Sequence, residues 1–575
     1  MLRYTVTPLP EKHLYEVSLS FAAPALTFDL YVPSWTSGSY LIRDYAGRFR
    51  KPEVYCGTLT QKSANRWQWS DLTVDDEITI SWQVFAYSEG IHDAYLDDAR
   101  GFINPAALFL IPETQEEKPV HIAFADKGFE VYSSLREIEP GLFEARHMQA
   151  LLDAPFSLIS RTADAKLIEC EACGISHRLL FTGVSSLNTA RLKKDVEAIL
   201  KATIDFWGSA PFESYLFHIQ MGPGLFGGLE HEESSVLQKD NLSLPGEFEE
   251  EMPEDYDDFL RLLAHEYFHA WLVKHLRPKA LLPYRLESPV HTPDLWVFEG
   301  LTSYYENLIP FRAGVIDEAT FLKRTGERFR AVREREGFHQ ESLADASFNA
   351  WTHLYKQTAD SAYSQSSYYG KGAVLAFILD MAIREKSKGT RSLDDVLRYW
   401  FKAALINPAR RALPPGGFPA LLDEALDLSL APLAETLSLK TDKNVWESAW
   451  EKALHYAGLQ IEDAKGDAPL RFLGLFTRTE KNRLLVRYAR ADGAAFKARL
   501  FAGDELLAVD GIRTTPRTFP RQVEAARGRT VAVTLFTHDR LRTVDMTVPR
   551  DAQKTIGSLS PLEGTDPADR FKSTN

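Results

Sequence analysis

Polar and apolar residues alternate from the first positions, MLRYTVTPLPEKHLYEVSLSF, as they do in a strand with one buried face. The runs LTFDLYVPSW, EITISWQVFAY and PVHIAFA are β-branched and aromatic, broken by Gly, Pro, Asn and Asp. Residues 1–165 are therefore expected to form a β-sandwich-like N-terminal domain. The period then changes. In LNTARLKKDVEAILKATIDFWGS the apolar residues recur at helical spacing as far as a terminal Gly-Ser, which predicts a helix over 187–209. YLFHIQMG and GGLEHEESSVLQ, joined by PGLF, predict a strand pair. The acidic run EFEEEMPEDYDD reads as a solvated loop, with Asp257 and Asp258 placed to favour the start of the next helix. Beyond residue 300 the pattern is mainly helical to residue 459. Short strands with one short helix return over 460–552, and the polar tail 553–575 reads as disordered. The expected fold is multidomain α+β: the N-terminal domain, a middle domain with its helical region over 166–459, and a small β-rich module.

A chain of 575 residues exceeds what one core can organise. Its net charge of −14 argues against phosphate backbones and anionic membrane surfaces. The longest apolar stretches, such as AVLAFILDMAI, are too short to span a bilayer, and the first residues hold no apolar signal core. A cytoplasmic protein with neither nucleic acid nor membrane as partner is expected. Three cysteines do not make a disulfide framework. Cys170 and Cys173 form a CxxC with His177 close behind, but a zinc ribbon needs a second pair. They read as small residues at the entrance to a strand, and Cys56 reads as buried.

The segment LAHEYFHAW changes the picture. His265 and His269 at i and i+4 share one helix face, so both imidazoles can point at one ion with Glu266 beside it. A catalytic zinc takes three protein ligands and keeps a fourth position open, and a neighbouring carboxylate then serves as general base. The stretch HTPDLWVFEGLTSYYENL supplies a third ligand. Thr292, Pro293 and Asp294 read as an N-cap, a first-position proline and a first-turn acid, which places Glu299 in the second turn of a helix. Trp296, Val297, Phe298 and Leu301 surround it with apolar residues, and a buried carboxylate needs a cation or a hydrogen-bond partner. Two histidines and a glutamate make a gluzincin ligand set. Gly300 would admit close approach of another backbone. Glu306, on the same helical face, either orients a ligating histidine or forms a surface salt bridge.

Two further segments carry a resemblance. Gly227-Gly228-Leu229-Glu230-His231 resembles the Gly-x-Met-Glu-Asn strand of gluzincin aminopeptidases, with Leu for Met and His for Asn. That likeness implies that Gly227 and Gly228 let a peptide lie along the strand and that Glu230 binds its α-ammonium. SSYYGKGAVLAFILD resembles the Tyr-x-Lys-Gly helix start of the same enzymes, which makes Tyr369 the phenol that meets the developing oxyanion, with the adjacent Tyr368 as the alternative. Together with VPSWTSGSYLIRDYAGR and the C-terminal module, these segments are similar to the PDZ-containing glycyl aminopeptidase family. The resemblance implies a thermolysin-like catalytic domain with one Zn2+ per chain and removal of N-terminal residues, favouring Gly and Ala. It also implies a PDZ-like domain over 460–552, where FLGLF takes the place of the carboxylate-binding loop. That module either captures a peptide C-terminus or only buttresses the catalytic domain.

The expected function is thus a zinc aminopeptidase acting on peptides with a free N-terminus. The rivals are a zinc endopeptidase, in which Glu230 is incidental, and a PDZ adaptor with a degenerate peptidase fold.

Overall fold

The computed structural model describes residues 1–125, 127–249, 252–463, 472–551 and 556–573. Within the acidic run, residues 250 and 251 lie outside the described residues, as do residues 464–471, 552–555 and 574–575 of the C-terminal calls. The chain forms two compact units: Met1–Thr292 with Leu308–Ile316 and Leu397–Gly417, and Pro293–Asn307 with Asp317–Val396 and Phe418–Asn575.

The first unit begins β-rich, as expected. A seven-stranded sheet runs in the order Arg136–Glu139, Leu142–Ala145, Val120–Phe124, Leu2–Leu9, Leu14–Ala22, Glu77–Phe85 and Glu53–Val54, accompanied by two four-stranded sheets. The alternation of the first residues holds, with Leu2, Tyr4 and Val6 buried and Arg3 and Thr5 exposed. A separate five-stranded sheet follows. Its first hairpin, Ala165–Ala172 with Ile175–Thr182, turns at Cys173 (φ 53°) and Gly174 (φ 77°), two left-handed residues in succession as a tight hairpin requires. The helix expected over 187–209 spans Thr189–Trp207, capped by the Asn188 side chain and by left-handed Gly208.

The expected strand pair is partitioned differently. Ser214–Met221 pairs in parallel with both Ile175–Thr182 and Ser234–Lys239, so it is an interior strand, buried along nearly its whole length. GGLEHEESSVLQ is not one strand. It breaks after Glu230, where His231 N donates to Ser234 O (2.9 Å) and closes a turn. Gly227–Glu230 then returns as an antiparallel edge strand on Ser234–Lys239. The consecutive glutamates after His231 form the turn that periodicity alone had merged into a strand.

The second unit is helical as far as Lys443–Tyr456. Phe329 joins Glu318–Arg333 to two other helices through Phe377 (5.1 Å) and Trp450 (4.5 Å). A C-terminal sheet follows in the order Leu475–Glu480, Arg483–Ala489, Glu505–Val509, Thr530–Thr537 and Arg540–Thr547, with Leu475–Glu480 at its edge. Its core gathers Phe472, Leu484, Val486, Phe519, Val523 and Val533. The sheet is tied to the helical part: Tyr363 Oη donates to Ala489 O (2.6 Å), and Glu336 accepts from Tyr488 Oη (3.1 Å) and Ala491 N (2.5 Å).

The tail corrects the expectation of disorder. Ile556–Pro561 pairs with Leu459–Asp463, and Phe571 is buried against Phe321 (4.9 Å) and Phe377 (6.2 Å). One aromatic anchor late in a polar segment outweighs the composition around it. Truncating a buried phenylalanine costs about 3–5 kcal/mol. Phe571→Ala is therefore expected to lose hydrogen-exchange protection in Glu318–Arg333 and Gly370–Lys386. Unchanged protection there would return the tail to a passive role.

Candidate active site

The helix Tyr256–Phe268 carries Asp257 and Asp258 in its first turn and buries Phe259, Leu260, Leu263 and Phe268. Aromatic contacts hold it: Trp207 stacks parallel to Trp271 at 5.9 Å, Phe206 meets Phe268 at 5.4 Å, and Tyr267 Oη meets His177 Nε2 at 2.8 Å. His269 closes the helix. Its Nδ1 lies 2.8 Å from Leu272 O, so that nitrogen donates and Nε2 is left as the lone-pair face. The turn that aims Leu272 O includes Val273 at φ 101°, a costly conformation for a β-branched residue. His265 Nε2 and His269 Nε2 stand 3.1 Å apart and converge on one point.

Glu299 is buried, as its apolar neighbours imply, but it rides on a π-helical turn, Trp296–Gly300, rather than the second turn of an α-helix. Such turns re-aim a side chain within a helix and are frequent at functional sites. Glu299 offers a carboxylate oxygen as a metal donor, as His265 and His269 each offer an imidazole nitrogen. Gly300 makes the close approach read from its size, since a Cβ there would stand 2.6 Å from Gly372 Cα and 3.0 Å from Tyr368 O. That contact brings the turn against the start of Gly370–Lys386, whose N-cap is Tyr369. The Tyr369 phenol is pushed well above its ordinary pKa by burial and next by the Glu299 carboxylate, and it lies 3.3 Å from Tyr355 Oη.

The edge strand meets the histidine helix through glycine. A Cβ on Gly228 would sit 1.9 Å from Glu266 Oε1, so the Glu266 carboxylate occupies the space a side chain would fill. A Cβ on Gly227 would likewise stand 3.0 Å from Ile91 Cδ1. Glu230, Glu266 and His269 offer ligand atoms within 4.8 Å of one another, all three buried. Glu230 Oε1 is buried and, among the described residues, has no hydrogen-bond partner.

His231, which stands where the resembled motif has Asn, is buried beside Asp153. Its Nδ1 lies 3.3 Å from Asp153 Oδ1. Asp153 also accepts from Lys274 Nζ (2.8 Å), Ser37 Oγ (3.0 Å) and Glu232 N (2.7 Å). Burial alone would raise the Asp153 pKa, but Lys274 and His231 hold it well below the carboxylate range. Burial likewise opposes the Lys274 charge, which Asp153, Tyr284 and Glu230 restore and raise. Sequence reading missed this cluster, since a lone Asp, Lys and Ser far apart in the chain carry no motif.

Cys170 pairs across the hairpin with His177 and Cys173 is exposed, both free thiols, while His177 is held by Ile175 O and Tyr267. Cys56 is exposed rather than buried, because it lies in a turn between edge segments of the β-rich part. Glu306 forms an ion pair with Arg328, and both are largely buried, so the bridge is not a surface one. Among the described residues no helix is long and apolar enough to cross a membrane.

Residues 258–375 match the family model of the M61 glycyl aminopeptidases, and residues 3–159 match that of the M61 peptidase N-terminal domain. The chain is a metallopeptidase. The crystal structure of an aminopeptidase N family protein from Idiomarina loihiensis is 28% identical to this metallopeptidase, with a TM-score of 0.90 over 99% of each chain. An M1 zinc metallopeptidase from Deinococcus radiodurans is 11% identical, with a TM-score of 0.47 over 77% of this chain and 93% of that one. No curated protein matches the peptidase. The donor types suit a metal: two Nε2 atoms aimed at one point, one ring locked by a backbone carbonyl, and buried carboxylates as further donors.

The glycine contact between Gly300 and Gly372 generates a test. Gly300→Ala must push two backbones apart and is expected to weaken metal binding by about 10–100-fold, as lost supporting contacts do. Metal titration of the variant checks it, with circular dichroism showing that the helices persist.

Proposed function

We propose that the protein is a zinc aminopeptidase that removes one residue at a time from peptides with a free N-terminus. The observation that carries this reading is Glu230, a buried carboxylate whose Oε1 lacks a partner, grouped with Glu266 and His269. Buried charge of one sign calls for the other. In this reading His265, His269 and Glu299 hold one zinc, which supplies Lewis acidity toward water and the scissile carbonyl when bound. Glu266 takes the proton from the attacking water and passes it to the leaving amine. Tyr369 donates its phenolic O–H to the carbonyl oxygen as that oxygen gains charge. The adjacent Tyr368 is the alternative for this role. Glu230 holds the α-ammonium.

The edge strand supports a one-residue ruler. Among the described residues Gly227–Glu230 pairs only with Ser234–Lys239, so its other edge can take a peptide by strand addition. Glu230 and Glu266 offer carboxylate oxygens within 4.8 Å of each other, little more than the length of one extended residue, which supports the first peptide bond, rather than a later one, as the bond opposite the base. The preference for Gly and Ala rests on likeness to the glycyl aminopeptidase model. Residues 460–552 we read as a PDZ-like domain able to take a peptide C-terminus along Leu475–Glu480, supported by the edge position of that strand.

Glu266→Gln is expected to keep one zinc per chain by elemental analysis while losing turnover by about 100- to 10,000-fold, since an amide cannot accept the proton. The His265→Ala, His269→Ala pair is expected to lose the metal. Full turnover by the Gln variant would remove Glu266 from the mechanism.

Glu230→Ala separates exopeptidase from endopeptidase. Leaving a buried charge unpaired costs about 3–5 kcal/mol, so kcat/KM for free-amine substrates should fall by a factor of order 100 or more. N-acetylated peptides should be poor substrates already and lose far less. Equal cleavage of acetylated and free peptides, unaffected by the substitution, would identify an endopeptidase.

A further inference from the structure

The carboxylate of Glu230 rests against a residue far from every motif of the peptidase. Gly38 lies in WTSGSY, within the β-rich N-terminal part, at φ 88°. A Cβ built on it would stand 2.5 Å from Glu230 Oε2 and 2.7 Å from Oε1, well inside contact distance. We propose that Gly38 is a positioning residue for the α-ammonium site, its bare Cα forming the wall that sets where the Glu230 carboxylate stands. This rests on the reading of Glu230 as the ammonium anchor.

The wall is fixed in place. Ser37, the preceding residue, donates to Asp153 Oδ1 (3.0 Å) and accepts from Lys274 Nζ (2.9 Å). On its other side Ser39 N donates to Thr36 O (3.1 Å), and Arg43 donates to Ser39 Oγ (2.8 Å). The same Asp153 carboxylate accepts from Glu232 N, just beyond the end of the edge strand. One anchor thus grips the loop before Gly38 and the chain after Glu230, fixing the spacing between them. Those bonds satisfy Asp153 and leave Glu230 Oε1 unpartnered, available to an incoming cation. The atoms a new Cβ would strike are the far end of a flexible side chain, not backbone. A methyl group therefore displaces the carboxylate, in addition to the backbone strain that any side chain carries at φ 88°.

Gly38→Ala, Glu230→Asp, Glu230→Ala and the Gly38→Ala, Glu230→Asp double variant of the full-length zinc enzyme test this, with alanyl anilide and its N-acetylated form as substrates. Gly38→Ala is expected to raise KM for the free amine by about tenfold or more, with a smaller change in kcat, unaltered zinc content and unaltered turnover of the acetylated form. Glu230→Asp withdraws the carboxylate by one methylene, so adding Gly38→Ala to it should cost far less than Gly38→Ala costs alone. Additive losses would mean that backbone strain at a left-handed alanine, not the contact, is responsible, and would overturn the proposal. So would an unchanged KM in Gly38→Ala while Glu230→Ala remains damaging. If Glu230→Ala itself is silent, the ammonium reading fails and this proposal with it.

Discussion

Carboxylates crowded together away from water repel one another unless positive charge stands among them. Glu230 and Glu266 present oxygens within 4.8 Å of each other and of His269, and all three side chains are buried. Burial removes the solvent that would screen such a pair, and the repulsion grows as the local dielectric falls. A zinc ion on the histidines and an ammonium on Glu230 are, in the proposed reading, the charges that make the arrangement stable. The glycines follow from the same crowding. Glu266 fills the space beside Gly228, and Glu230 fills the space beside Gly38, so the carboxylates approach because two side chains are missing.

Much of this was written in local patterns. The i, i+4 histidines with acids in the first helical turn fixed the histidine helix, and the apolar neighbours of Glu299 announced its burial. What escaped lay beyond the reach of local pattern. A π turn and an α turn share the same apolar spacing over five residues, so Trp296–Gly300 read as ordinary helix. The break after Glu230 depends on a turn stabilised by Asp153, which is distant in sequence. Phe571 looked like one aromatic in a polar tail until Phe321 and Phe377 came to meet it. Cys56 was assigned by a general tendency of cysteines, and its turn overrode that tendency.

The helical unit links two kinds of surface through one short segment. Tyr363 is bonded to Ala489, on the strand that neighbours the exposed edge Leu475–Glu480. A few residues to either side, Tyr355 and Tyr369 bring their phenols to 3.3 Å. Arg490 N in turn donates to Gly474 O (2.7 Å), which fixes the FLGLF loop from behind. The segment that carries Tyr355 and Tyr363 thus touches both the C-terminal sheet and the phenol that the proposed reading assigns to the oxyanion.

The Asp153 cluster also bears on how the enzyme comes into being. Ser37 and Lys274, bonded within it, are separated by 237 residues of chain. Closing so long a loop costs entropy before any contact returns it, and long-range contacts of this kind form late in folding. During synthesis the β-rich part emerges first, yet the wall that seats Glu230 is not locked until Lys274 has left the ribosome and docked. In the proposed reading, the seat for a substrate amine is thus among the last parts of the fold to be completed.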